Sequence, residues 1–272
     1  MMKRILIIGG WIIGSGALVF MTGFAMNRHE NRSAAGVDIT IERNGDQYFV
    51  SEDNIRTMLI RNGFDFDNQK IGEVSVPVIE QLVANDPGVE MCDVSISVNG
   101  KVHITIVQRR AVARITNLAG DSYYMDDKGR LMPVNSGYTA PVIVVNGWLA
   151  DSYSEWSDAD FSTVGEDSAL ATTTHLDDIW NIIHAVEQDS FLGAQMVQLY
   201  LSPEEGYVFI PRVGDHRIIF GDASGIDGKF KKLHLFYAYG LAKTGRWDEY
   251  SAIDLRFKNQ IVCTKKPIAN GI

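Results

Sequence analysis

The sequence predicts an α+β protein. Its parts are a single N-terminal transmembrane helix, a small β-α-α-β-β domain and a mixed β domain with flanking helices. Three observations predict this. An uncharged apolar run fills residues 5–26, an Asn-Gly dipeptide joins two alternating runs between Val94 and Ile106, and from about Ala113 short strands and turns are interspersed with two helical stretches.

Residues 1–4 form a short N-terminus, and Ile5–Met26 carries no charge. As a helix its 22 residues would reach about 33 Å, enough for a bilayer core of roughly 30 Å. The opening "ILIIGGWIIGSG" superficially matches a dinucleotide-binding loop, but Trp11 stands where the second glycine must let the pyrophosphate approach. The run exceeds the 7–15 apolar residues usual in a signal peptide. Gly23-Phe24-Ala25 is a weak cleavage candidate, so a retained anchor is expected, with the bilayer contacted through residues 5–26. Lys3 and Arg4 favour a cytoplasmic N-terminus, against which Arg28 and Arg32 weigh.

The formal charge is −9, and without Lys3 and Arg4 the rest holds 23 basic against 34 acidic residues, or −11. That balance, with no basic stripe, excludes a nucleic-acid binder. Cys92 and Cys263 lack metal or redox spacing and are expected as partly buried thiols.

The first domain is expected over 37–112. Val37–Ile41 alternates as a half-buried strand. Ser51 caps a helix whose first turn holds Glu52 and Asp53 and whose end is marked by Gly63. Pro77 opens a second helix, with Ile79, Leu82 and Val83 on its apolar face. Val94, Ile96 and Val98, then Asn99-Gly100, then Val102, Ile104 and Ile106 make a hairpin. Two helices on one face of a three-stranded sheet follow from that order.

The second domain is expected over 113–264, with a tail at 265–272. Tyr123–Met125 and Arg130–Met132 flank a turn at Asp126–Gly129, and Pro141–Val145 is an apolar strand. Asp151–Thr174 is polar and reads as a surface loop. Leu176–Val186 is helical, with Ile179, Trp180 and Ile183 on one face. Val197–Leu201, Tyr207–Ile210 and Arg217–Phe220 are strands, and Phe230–Ala242 is an aromatic-rich helix. Ala252–Cys263 is either a last strand pair or one long strand.

The order of these parts resembles the FtsQ/DivIB family of bacterial cell-division proteins. The residues that carry the resemblance are Gln108–Ala113, Met125–Gly129, Ile219-Phe220-Gly221 ahead of a helix, and Ile253-Asp254-Leu255-Arg256-Phe257. The closing Asp-Leu-Arg-Phe, Asp254–Phe257, is the most specific of them. Arg110-Ala111-Val112-Ala113 lacks a proline usual in the family. The resemblance implies that the first domain is of POTRA type and the second is the family's β domain. It implies a non-enzymatic scaffold of the division machinery in the inner membrane, N-terminus inside, with the bulk of the chain in the periplasm. Its partners would be small bitopic proteins of the FtsB and FtsL type, bound through the last strand of the β domain. Arg256 and Phe257 match the family's partner-contacting arginine and aromatic, and Asn259 lies two positions on. These three are the expected partner-binding residues. A terminal strand with an open edge suits such a role, because its unpaired backbone groups can accept an extended peptide.

Chemistry finds less support. Gly221–Gly225 is not a Gly-x-Ser-x-Gly elbow, and no lysine follows a serine by three, as penicillin-binding acyl transfer requires. The run reads instead as a turn into a helix capped by Ser224 or Asp227. The acid pairs Asp126-Asp127, Asp177-Asp178 and Glu204-Glu205 suit solvated or capping positions. His175 beside Asp177 and Asp178 lacks a second histidine at ligand spacing and marks a helix start. No catalytic, cofactor or metal residue is therefore expected. The competing class is a membrane-anchored envelope hydrolase, which needs converging carboxylates or a Ser-His pair in a deep cleft.

Overall fold

A computed structural model describes residues 11, 14–17, 20, 21, 32–43, 45–135, 137–163 and 173–267. Two compact units emerge. One comprises residues up to 44 together with 48–108, and the other comprises 45–47 together with 109–272.

In the first unit, β1 (Val37–Glu42) is followed by α1 (Glu52–Arg61), a 3-10 turn (Ile71–Glu73), α2 (Val76–Ala84), β2 (Val89–Ile96) and β3 (Val102–Gln108). The sheet order is β1-β3-β2, with β1 parallel and β2 antiparallel to the central strand. Local signals explain the ends. The Ser51 hydroxyl accepts the Asn54 N–H at 3.2 Å, and Pro77 sits in the first turn of α2. Ile55, Leu59, Ile79 and Val83 are fully buried, as are Val102, Ile104 and Ile106. Gln108 is buried too, and its side-chain carbonyl accepts the N–H of Phe49 at 2.9 Å and of Val50 at 3.0 Å. That amide satisfies two loop donors that burial would otherwise leave without water.

The second unit contains β4 (Ala111–Thr116), β5 (Ser122–Asp126), β6 (Leu131–Pro133), β7 (Ile143–Gly147), α3 (Tyr153–Trp156), a 3-10 turn (Phe161–Thr163), α4 (Leu176–Glu187), α5 (Ser190–Gln195), β8 (Met196–Ser202), β9 (Gly206–Pro211), β10 (Arg217–Gly221), α6 (Ile226–Leu235), a π-helix (Phe236–Ala242), β11 (Tyr250–Asp254) and β12 (Val262–Lys265). Its strands form one nine-stranded mixed sheet in the order β12-β11-β10-β9-β8-β7-β4-β5-β6. Alternate strand residues such as Leu199, Phe209, Phe220 and Ile253 pack with Ile179, Ile183, Phe230 and Leu233 of the helices. Full burial of a side chain such as Phe220 stabilises by about 2 kcal/mol.

The α+β architecture is the expected one, but the expected membrane span is not part of it. Among the described residues no helix is long and apolar enough to cross a membrane. Most of 5–26 lies outside the described residues. Those that are described, such as Trp11 at 78% exposure and Phe20 at 74%, are helical and exposed. Gly14 and Gly16, both described and exposed, are poor helix formers, each by about 1 kcal/mol relative to alanine.

Two further expectations change. The polar stretch 151–174 is not simply a surface loop, because it holds α3 and a 3-10 turn whose Phe161 is buried against the core. The rest of it, 164–172, lies outside the described residues. The aromatic-rich helix begins at Ile226 and changes to π geometry at Phe236. Of the two forms expected for the closing stretch, the structure has the strand pair.

Candidate functional site

The last two strands and their connection form the candidate site. β11 runs parallel to β10, and β12 turns back antiparallel along β11. β12 is the outermost strand of the nine, so among the described residues only one of its edges is paired. The N–H of Lys266 points inward, to the carbonyl of Glu249 at 2.9 Å. Strand alternation then directs the N–H groups of Lys265 and Cys263 to the open side. β12 is short, and Val262, Thr264 and Lys265 are exposed.

Arg256, Phe257 and Asn259 do not lie on this strand. They belong to the connection between β11 and β12, which begins beyond Asp254. Arg256 is held against Asp254: Nε lies 3.0 and 3.1 Å from the two carboxylate oxygens and Nη2 lies 2.7 Å from Oδ2. The Arg256 amide also donates to Asp254 Oδ1 at 3.0 Å. Burial alone would raise the Asp254 carboxyl, but these Arg256 donors outweigh it and hold the group below the usual carboxylate range. The stem of Arg256 passes over Gly221, whose φ is +83°, and a Cβ there would come within 2.7 Å of Arg256 Cγ. The glycine of the Phe220-Gly221 pair is thus required twice, by its backbone angle and by the arginine it carries.

The carbonyls of Leu255 and Phe257 accept from Lys232 Nζ, the former at 2.8 Å, so α6 clamps the connection from beneath. Desolvation, with Lys229 nearby, lowers the Lys232 ammonium below its ordinary value. Between the start of α6 and the connection lies a cleft of about 530 Å³ lined by Gly225, Lys229, Lys232, Arg256, Lys258 and Asn259 among others. The structure therefore brings Arg256 and Asn259 together at this cleft. Phe257 stands apart from it, 44% exposed. Lys232 and Gly221, which set the shape of the connection, carry no local sequence signal of that role. Both act through tertiary contacts with a segment more than twenty residues away.

The groups weighed for chemistry are otherwise engaged. The Ser224 hydroxyl donates to Asp222 Oδ1 at 2.7 Å, and Gly225, without any side-chain bond, is the N-cap of α6. The expectation that Ser224 or Asp227 caps this helix is thus corrected: Ser224 is turned back into its own turn by the closer carboxylate. His216 is 3% exposed and its Nε2 lies 2.9 Å from the Tyr237 hydroxyl. His234 Nε2 lies 2.6 Å from Asp189.

Of the acid pairs, Glu204 is exposed as expected, whereas Asp126 and Asp177 are buried. Asp126 is 2% exposed and closes its turn by accepting the N–H groups of Lys128 at 3.0 Å and Arg130 at 2.8 Å. Asp177 is buried, and Asp178 accepts the Tyr207 hydroxyl at 3.2 Å. Burial raises both of the latter carboxyls. Among the described residues no three His, Cys, Asp or Glu side chains stand where they could hold one metal ion. Cys92 and Cys263 are free and half-buried.

Comparison with known proteins bears on the whole of this arrangement. The family model described as FtsQ/DivIB, C-terminal related, matches residues 110–264. A second model, for a POTRA-like domain, matches residues 32–107. No curated protein matches the chain. The first model alone spans more than half of the 272 residues, so the chain belongs to the FtsQ/DivIB family and is, on that ground, a division-related scaffold protein with a POTRA-like domain.

Proposed function

We propose that this protein is a non-enzymatic scaffold that recruits small bitopic division proteins of the FtsB and FtsL type during septum formation. It does so by accepting a partner strand along β12. The observation that carries the reading is the open edge of β12, the last strand of a nine-stranded sheet, with exposed side chains and one row of unpaired backbone groups. Phe257 offers an exposed aromatic in the connection that leads to that strand, and Arg256 and Asn259 offer polar contacts at the cleft beside the connection. Aromatic and arginine side chains are the types that dominate binding hot spots. We place the role on the periplasmic side of the inner membrane; the family's character as membrane-anchored division proteins supports the membrane setting.

The test is a pull-down of small bitopic division proteins with the intact chain and two variants. Lys265→Pro removes one outward N–H while proline is tolerated on an edge strand. Lys265→Ala removes the side chain and its ion pair with Glu249 but keeps the N–H. Loss of partner with the proline variant and retention with the alanine variant is the expected result. Equal binding by both variants would rule out strand addition at β12.

A further inference from the structure

α6 and the π-helix that continues it present an outward face unlike the rest of the chain. Of the basic residues in 226–246, Lys231, Lys243 and Arg246 are exposed, whereas Lys229 and Lys232 bond to Asp222 and to the closing connection, in a protein whose formal charge is −9. Lys231, Leu235, Tyr239 and Lys243 follow one another at intervals of four, and all are exposed. Leu235 is 53% and Tyr239 67% exposed, whereas Leu233, Tyr237 and Leu241 are buried on the opposite side. In an α-helix each four-residue step drifts by about 40° around the axis. The wider turn of the π-helix at Phe236–Ala242 takes up much of that drift. The four side chains therefore keep to one stripe, at most about 18 Å long. Neither lysine has an ion-pair partner among the described residues. Beside the Lys231 end, a groove of about 600 Å³ among α4, α5 and α6 is lined by Ala185, Leu192 and Phe230 together with polar groups that include Asp189, Asp227 and His234.

We propose that this face seats an acidic amphipathic helix of a partner protein. Its two central apolar side chains would rest on Leu235 and Tyr239, and a carboxylate at each end would meet Lys231 and Lys243. The matching pattern is Glu-x-x-x-Leu-x-x-Leu-x-x-x-Glu, whose intervals of four, three and four keep the side chains of an ordinary α-helix on one face, with end charges opposite to those of the lysines. A membrane-seated helix instead sets its cations along the flanks of a continuous apolar face. Here they stand at the two ends of a short apolar segment, which fits the register of a second helix. An anionic lipid surface would also repel the acidic remainder of the chain. This surface lies on the helical layer and does not depend on the open edge of β12.

The experiment is fluorescence anisotropy of a labelled fifteen-residue peptide of that pattern, titrated with the intact chain. Binding is expected, and Lys231→Glu with Lys243→Glu should weaken it by about tenfold. A peptide with lysines in place of the end glutamates should regain affinity for the charge-reversed variant. Lys265→Pro should leave the affinity unchanged. Absence of binding, or equal affinity of both peptides for the unaltered protein, would overturn the proposal. So would flotation of the protein with phosphatidylglycerol vesicles that is lost in the Lys231→Glu, Lys243→Glu variant, because that would assign the face to a membrane.

Discussion

Replacing Asp254 with alanine removes the acceptor for three guanidinium contacts and for the Arg256 amide. A hydrogen bond to a charged group contributes about 1.5–3 kcal/mol net, and an exposed ion pair at most about 1 kcal/mol. The Asp254 side chain is 12% exposed and that of Arg256 43%, so water already screens one partner. The expected loss is therefore near the lower figure, about 2 kcal/mol. At roughly 3 °C per kcal/mol for a domain of this size, the unfolding temperature of the nine-stranded unit should fall by about 6 °C. The sign with pH follows from the depressed folded carboxyl. Its contribution is fully present above the unfolded value near pH 3.9 and is lost as pH falls through the lower folded value. Thermal unfolding followed by circular dichroism should thus show a gap between wild type and Asp254→Ala at pH 7 that closes once acid has protonated the folded carboxyl. A gap under 1 °C at pH 7, or one that persists undiminished in acid, would refute the role assigned to this pair.

Other perturbations probe the frame. At Gly147, φ is +109° and a Cβ would lie 2.4 Å from the Leu201 carbonyl oxygen, so Gly147→Ala should destabilise by about 3 kcal/mol in a urea titration. Gly120 has a φ of +89° but open space around it, so Gly120→Ala should cost only about 1 kcal/mol. Burial, with Glu80 and Asp93 adding to it, pushes the Cys92 thiol up to about 11. Its alkylation at pH 8 should accordingly be slow in the native protein and fast in urea. His216 is held neutral because burial lowers its value, so the unfolded state takes up more protons below about pH 6.5 and stability should fall with acid there. His216→Gln should flatten that slope in pH-dependent unfolding.

What could be read from the residues depended on how local the cause was. Ser51 and Asn99-Gly100 act within four residues, and both the cap and the hairpin form where the pattern places them. Phe161 was obscured by its polar neighbours, since the apolar surface that buries it comes from distant elements such as Trp180. The change to π geometry at Phe236 left no trace in the spacing, because an aromatic-rich run satisfies either helix. The closing motif was visible as a string, but the place of Arg256 was not. It depends on the bare backbone of Gly221 and on Lys232 reaching up to two carbonyls, contacts that span 35 and 23 residues. The apolar run at 5–26 illustrates the converse, since composition alone suggested a span that no described helix provides.

The strand order of the second unit bears on when its open edge can exist. β12 follows every other strand of its sheet along the chain and rests on β11, which in turn must settle parallel to β10. β10 is itself braced by β9 and by the helical layer through Phe220 and Phe230. A nascent or misfolded domain therefore has no such edge to offer, since nothing upstream of β11 can substitute for it. Any molecule that recognises this edge is in effect inspecting a finished product, and would be spared from binding incomplete copies without a separate quality-control step.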